Sequence, residues 1–160
     1  MAAPPTLLTL DWSTLVPLGE GTTARVFRAE TDGRAGAFVV VKLALGPEAA
    51  PLVRAEARTL ALLDAVVAPA LLAVGTHFVE GAELPYLVTA GEAGVPLVEL
   101  AIRLRRGAGA ELRRRRAALS WAVDLGLALT ELERGGVAHG DLKPANVLIT
   151  DTGARLLDFG

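Results

Sequence analysis

Read for the spacing of its apolar positions, the chain opens with strand-like runs and changes to helical periodicity in its second half. Residues 15–20 (LVPLGE) and 24–30 (ARVFRAE) are short strand-like segments joined by Gly21-Thr22-Thr23. Asp32-Gly33 marks a further tight turn before 36–43 (GAFVVVKL), the most β-branched segment in the chain, so three consecutive antiparallel strands are expected. A helix follows from about Pro47 to Leu63, with Pro47 in its first turn. Its residues Leu52, Glu56, Leu60 and Leu63 fall at i, i+4, i+8 and i+11, on one face. Residues 70–76 and 83–89 read as two more strands, which completes a five-stranded sheet with the helix on one side. Beyond a short segment, Ala90 to Gly94, residues 97–106 and 112–134 read as helices. The second carries Leu119, Val123, Leu127 and Leu132 at near-helical spacing and is stopped by Gly135-Gly136. Val147-Leu148-Ile149, a turn at Asp151-Thr152-Gly153 and Ala154–Leu157 then form a β-hairpin centred on Thr152.

Polar residues that break these patterns carry the chemistry. Glu56 interrupts an apolar stripe, and a carboxylate is costly to bury unless a cation meets it. Lys42, at the end of Val39-Val40-Val41 on the neighbouring strand, is the expected partner. In the first turn, Gly19 and Gly21 let backbone N–H groups approach phosphate oxygens, because no Cβ stands in the way. Between the long helix and the hairpin lies His139-Gly140-Asp141-Leu142-Lys143-Pro144-Ala145-Asn146, where Pro144 prevents helix and drives Lys143 toward an extended conformation. Pairing about Thr152 sets Val147 against Leu157, which brings Asn146 and Asp158 to the same open end, in reach of Asp141. Oxygen ligands without His or Cys suit Mg²⁺, which keeps waters and accepts substrate phosphates.

The stretch His139 to Asn146, read with Asp158-Phe159-Gly160, resembles the catalytic loop and magnesium motif of protein kinases. Gly19-Glu20-Gly21-Thr22-Thr23-Ala24-Arg25-Val26 resembles the family's glycine-rich loop, with Ala24 in place of the third glycine. Val39-Val40-Val41-Lys42 resembles its third strand. The resemblance implies an α+β, protein-kinase-like fold: an N-terminal extension (1–14), a five-stranded antiparallel N-lobe with one main helix (15–89), a hinge (90–95) and a partial helical C-lobe (96–160). It implies ATP and Mg²⁺ as cofactors and a protein substrate phosphorylated on serine or threonine, since Asp-Leu-Lys-Pro is similar to the serine/threonine branch.

Residue by residue, the resemblance assigns Asp141 and Lys143 to catalysis and Asn146 and Asp158 to the metal. Nucleotide contacts fall to Gly19, Gly21, Val26, Lys42, Glu56, Thr89 (as gatekeeper), Ala90 (through its backbone) and Leu148. Gly140 stands where many kinases carry an arginine that reads a phosphorylated activation loop, so phosphorylation-dependent switching is not expected. Two other readings stay open: a kinase-like small-molecule phosphotransferase such as the aminoglycoside group, which also uses His-Gly-Asp, and a non-catalytic nucleotide-binding (pseudokinase-like) module. The resemblance covers about residues 15–160, roughly two-thirds of the family's domain. The long helix is therefore expected to expose an apolar face that self-association or a partner chain would cover.

Composition narrows the setting. With 52% hydrophobic residues and a net charge of −2, the 160-residue chain is of the globular class rather than the disordered one. It has no cysteine, hence no disulfide framework and no thiolate metal site, which fits a cytoplasmic location. The N-terminal MAAPPTLLTLDW has no basic region and two prolines, unlike a signal peptide. The apolar region 60–75 is broken by Asp64 and Pro69 and is too short for a bilayer, so no membrane partner is expected. Seven of the sixteen basic residues fall in 103–116 (Arg103, Arg105, Arg106 and Arg113 to Arg116), without interleaved aromatics. A solvated helix start, not a nucleic-acid surface, is the expectation there. His77 is expected in an exposed loop without a partner, and Trp121 in the core.

Overall fold

The computed structural model describes residues 10–31, 37–106 and 111–159, which gather into two units. The expected turn at Asp32-Gly33, and Gly160 of the last motif, lie outside the described residues. One unit joins the chain up to Ala61 with Ala70–Gly91; the other joins Leu62–Pro69 with the chain from Glu92 onward.

In the first unit, Val16–Glu20 (β1), Ala24–Glu30 (β2), Phe38–Ala44 (β3), Leu71–Val79 (β4) and Ala82–Ala90 (β5) form an antiparallel five-stranded sheet in the order β1-β2-β3-β5-β4. The β-branched run lies in its centre, where a strand is paired on both edges and needs apolar side chains on both faces. Val39 and Val41 point to one face and form a core with Ala73 and Val88. The segment before β1 covers that core with Leu10, Trp12 and Leu15. Ala50–Leu60 (α1) packs on β3, β4 and β5.

The helix is shorter than its periodicity suggests. Residues 47–49 form a turn, and Pro51 rather than Pro47 occupies the first helical turn. The buried face is Val53, Glu56 and Leu60, at i, i+3 and i+7, while Leu52 is 52% exposed. Steps of four residues overshoot a 3.6-residue turn, so Leu52 rotates off the stripe that Val53 and Leu60 define. His77 also departs from expectation: it sits on β4, its ring stacked on Trp12 with centroids 3.8 Å apart and 8° between planes.

The second unit contains Val95–Pro96 (β6), Leu97–Arg106 (α2), Glu111–Arg134 (α3), Val147–Thr150 (β7) and Gly153–Leu156 (β8), with the three strands in the order β6-β7-β8. The short strand β6 has no counterpart in the periodicity of the sequence; it pairs Val95 with Ile149 and Pro96 with Leu148. Gly94 is required there, since a Cβ would lie 2.8 Å from both Ile149 O and Leu148 Cγ. The long helix ends as expected: Gly136 takes φ +64°, and Gly136 and Val137 donate to Glu133 O and Leu132 O, both at 3.0 Å. Its buried side, Ala128 and Leu132, packs on β8. Leu119, Val123 and Leu127 lie on the opposite side, between 55% and 67% exposed, so Leu132 does not share their face. Trp121 is half-buried rather than core. Residues 62–69 join this unit through Leu156 N, which donates to Val67 O at 2.8 Å.

The hairpin register differs by one residue from the expected one. Val147 pairs with Leu156 and Thr150 with Gly153, leaving the two-residue turn Asp151-Thr152. Gly153 at φ +124° and the Thr150 hydroxyl, which donates to Gly153 O and accepts from Thr152 N, fix the tighter turn. Asn146 O consequently faces Leu157 N at 2.8 Å, and Asp158 follows one position later than a Thr152-centred hairpin would give. No helix among the described residues is long and apolar enough to cross a membrane.

Leu87 is fully buried in the central part of the five-stranded sheet. Leu87→Ala is expected to lower unfolding free energy by about 2–5 kcal/mol, read by urea denaturation.

Candidate active site

Each unit carries one cluster of the residues singled out above. In the first, strand pairing aligns four positions across the sheet: Gly19 opposite Val26, Val26 opposite Lys42, and Lys42 opposite Leu87. Directly paired residues project to the same face, so Gly19, Val26 and Lys42 share one side of the sheet. Thr89, two residues beyond Leu87, shares it too and is buried.

Lys42 Nζ donates to Glu56 Oε1 at 2.6 Å, and the two side chains are only 15% and 12% exposed. The bond joins β3 to α1 and meets the requirement that a carboxylate in an apolar stripe find a cation. At the β1–β2 turn, Gly21 N donates to Ala24 O at 2.9 Å. Ala24, in the third glycine's place, is buried opposite Ala44 and so acts as packing. A Cβ built on Gly19 meets no atom within 4 Å, and one on Gly21 meets only Ala24 O at 3.8 Å. The chain's own packing does not demand glycine at either position, and room is left there for a ligand. Ala90 donates its N–H to Ala70 O at 2.9 Å, and Gly91 donates to Phe38 O at 2.8 Å.

In the second unit, a polar loop is organised around Asp141. Gly140 takes φ +82°, a left-handed conformation that costs a glycine nothing. Lys143 is extended (φ −150°, ψ 160°) ahead of Pro144, as the proline requires, and Pro144–Asn146 form one turn of 3-10 helix. Asn146 is buried, and its Nδ2 donates to both Asp141 O and Asp141 Oδ2 at 3.0 Å. Lys143 Nζ donates to the same Oδ2 at 2.5 Å. The Lys143 hydrogen bond and charge, with the Asn146 bond, hold the Asp141 carboxyl below its ordinary value, so it stays ionised throughout the neutral range.

Two features of this loop escaped the sequence. His139 is buried and its ring stacks on Phe159 with centroids 4.7 Å apart, while its Nδ1 accepts from Asp141 N at 3.4 Å. Burial lowers the His139 pKa despite the opposing pull of Asp141 and Asp158, which favours neutral imidazole. Asp158, exposed beside buried Phe159, sits at φ +58°, a left-handed backbone few non-glycine residues adopt. Leu148 lies on β7, buried between Pro96 and Arg155.

The donor set is compatible with magnesium. With Nδ2 of Asn146 committed to Asp141, the remaining polar atom of the amide is its oxygen. Asp158 adds a carboxylate. No trio of His, Cys, Asp or Glu side chains converges among the described residues. An ion bound through one or two carboxylates plus substrate phosphates requires none.

No family model matches the chain. Curated relatives do. A probable serine/threonine-protein kinase of Streptomyces coelicolor, SCO3848, is 33% identical over 149 residues, covering 89% of this chain and 21% of that protein. Serine/threonine-protein kinase PknA of Mycobacterium tuberculosis is 33% identical over 150 residues, 89% of this chain and 33% of that one. The DNA damage-responsive serine/threonine-protein kinase RqkA of Deinococcus radiodurans is 35% identical over 162 residues, 98% and 23% respectively. The chain belongs to the protein kinase superfamily, among the bacterial eukaryotic-like serine/threonine kinases. It spans between a fifth and a third of the length of these relatives.

Removing one member of a buried ion pair strands the other. Glu56→Ala is expected to cost about 3 kcal/mol or more in urea denaturation, and the double variant Lys42→Met/Glu56→Leu to recover most of that loss. His139 gives a pH signature. Its folded pKa lies below its unfolded value of about 6.5, so the unfolded state binds more protons and stability falls as pH drops below that value. Between pH 7.5 and 5.5 the melting temperature should fall further in the parent than in His139→Phe, which keeps a ring against Phe159.

Proposed function

We propose that this chain supplies the nucleotide-holding and catalytic-loop residues of a serine/threonine protein kinase, which moves the γ-phosphoryl group of ATP to a hydroxyl of a protein substrate. The observation that supports this best is the loop in which one carboxylate, Asp141, is bonded by both Lys143 and Asn146. Phosphoryl transfer is catalysed mainly by positioning and charge neutralisation, and the loop offers both.

In this reading Lys42, fixed by Glu56, holds the α- and β-phosphates, while the backbone near Gly19 and Gly21 lies over them. Val26 and Leu148 contact the base, and Thr89 bounds its pocket. The N–H groups of Ala90 and Gly91 are already engaged within the chain, so the donor to adenine falls to backbone after Gly91. Asn146 and Asp158 would hold Mg²⁺, which would supply charge neutralisation for the nucleotide phosphates. The substrate oxygen forms a bond to the γ-phosphorus as the bond to the β–γ bridging oxygen breaks, and ADP leaves. Asp141 orients the attacking hydroxyl and receives its proton. A carboxylate held below its ordinary pKa is a weak base, which favours orientation as its larger contribution. Lys143 neutralises charge on the transferred group.

Three features favour a protein substrate over a small molecule: Lys143-Pro144 in the loop, Glu56 on α1 paired to Lys42, and relatives named as protein kinases. A cytoplasmic location, where ATP is available, goes with this reading.

Labelled ATP with Mg²⁺ and a generic protein substrate should show transfer that falls by about 10²–10⁴-fold in Asp141→Ala; equal activity in that variant would remove Asp141 from its role. Mg·ATP should also raise the melting temperature of the parent but not of Lys42→Met. No rise in the parent would contradict the nucleotide assignment.

A further inference from the structure

Charge is distributed unevenly along this chain. Residues 97–116 hold seven arginines and two glutamates, while the other 140 residues hold nine basic and sixteen acidic side chains. The basic stretch covers α2 and the first part of α3, within the second unit. Between the two helices runs a groove with a cavity volume of about 360 Å³. Leu100, Leu104 and Trp121 form its apolar floor, and Arg103, Arg113 and Arg114 line it as well.

Three observations distinguish this groove from an ordinary solvated helix face. The half-buried indole of Trp121 and two leucines form its floor, whereas a solvated face needs no apolar floor. The Nε of Arg114 is hidden from solvent and has no hydrogen-bond acceptor; the Glu111 carboxylate is 3.9 Å away. The acidic groups nearby are already engaged: Glu99 accepts from Arg103, itself a groove residue, and Glu111 from Arg115, both at 2.8 Å. Arg103 is therefore partly satisfied within the chain, and Arg113 and Arg114 carry most of the unmet positive charge. No hydrogen bond or ion pair engages Arg113 among the described residues.

We propose that the α2–α3 groove docks an acidic peptide segment of a protein partner, with an apolar side chain of that segment on the Trp121–Leu100–Leu104 floor and flanking carboxylates on Arg103, Arg113 and Arg114. Guanidinium forks pair with carboxylates through two parallel hydrogen bonds, and an apolar anchor supplies burial that charge alone does not. Nucleic acid suits the groove less well. Single strands are held by successive exposed aromatics along a basic track, and this groove has one indole at its floor. The site does not depend on catalysis, since it is separate in sequence from Asp141 and from Lys42, and its binding is read without nucleotide.

The experiment uses the full chain carrying Trp12→Phe, which leaves Trp121 as its one indole. The probe is a fluorescein-labelled twelve-residue peptide with a Phe-Leu pair flanked by glutamates and aspartates. A lysine-flanked version, a 20-base-pair DNA duplex and phosphatidylserine vesicles serve as competitors. The acidic peptide is expected to bind saturably, shift Trp121 emission and weaken with added salt. Arg103→Glu/Arg113→Glu should weaken binding by about tenfold or more, the loss expected for about 1.4 kcal/mol. Leu104→Asp tests the floor. Both arginines are exposed, so the arginine variant keeps the test valid if Leu104→Asp unfolds, with unchanged circular-dichroism melting as the control. Absence of acidic-peptide binding, binding unaffected by the double arginine variant, or tighter binding of DNA or vesicles would overturn the proposal.

Discussion

The ion pair between Lys42 and Glu56 is the constraint that the first unit is arranged to satisfy. Two charges at 15% and 12% exposure have lost most of their hydration, and an apolar pair of similar size would stabilise the fold nearly as well. Its retention makes sense if the ammonium is needed there as a charge of fixed position. The central strand supplies that fixity: β3 is paired on both edges, and its other face is closed by Val39 and Val41 in the core. Glu56 then ties the position and rotation of α1 to the same point.

The second unit uses a different device for the same purpose. Asp141 is exposed, so it gains little from burial; its geometry comes from hydrogen bonds made to it by neighbours five residues apart at most. Those neighbours are placed by backbone chemistry: Gly140 by its left-handed φ, Lys143 by the following proline, and Asn146 by the 3-10 turn and its burial. Asp158 adds strain at φ +58°, held in place by Phe159 packed on His139. A non-glycine candidate metal ligand in this conformation is the kind of backbone cost that accompanies functional sites.

Much of this was legible in the sequence, and the parts that were not share a cause. The five strands, the Lys42–Glu56 pair and both helices of the second unit follow from local periodicity, caps and the misfit of one carboxylate in an apolar stripe. The hairpin register was not legible, because Asp151-Thr152-Gly153 permits a two- or three-residue turn. The choice rests on Gly153 at φ +124° and the Thr150 hydroxyl bonds. Leu52 looked like a core position because spacing by fours resembles a helix face, yet the stripe is set by Val53 and Leu60. His77 on Trp12 and His139 on Phe159 are stacks between residues 65 and 20 positions apart, and no local pattern announces such contacts. Residues 62–69 likewise belong with β8 through a single long-range backbone bond.

Under the proposed function, Asn146 and Asp158 of the second unit hold the metal ion that accompanies ATP. Paramagnetic Mn²⁺, added with ATP to isotopically labelled protein, tests this directly, since it broadens only resonances near the ion. ATP-dependent broadening is expected to be strongest at Asn146 and Asp158 within the second unit. Broadening that spares Asn146 and Asp158, or that is the same without ATP, would contradict it.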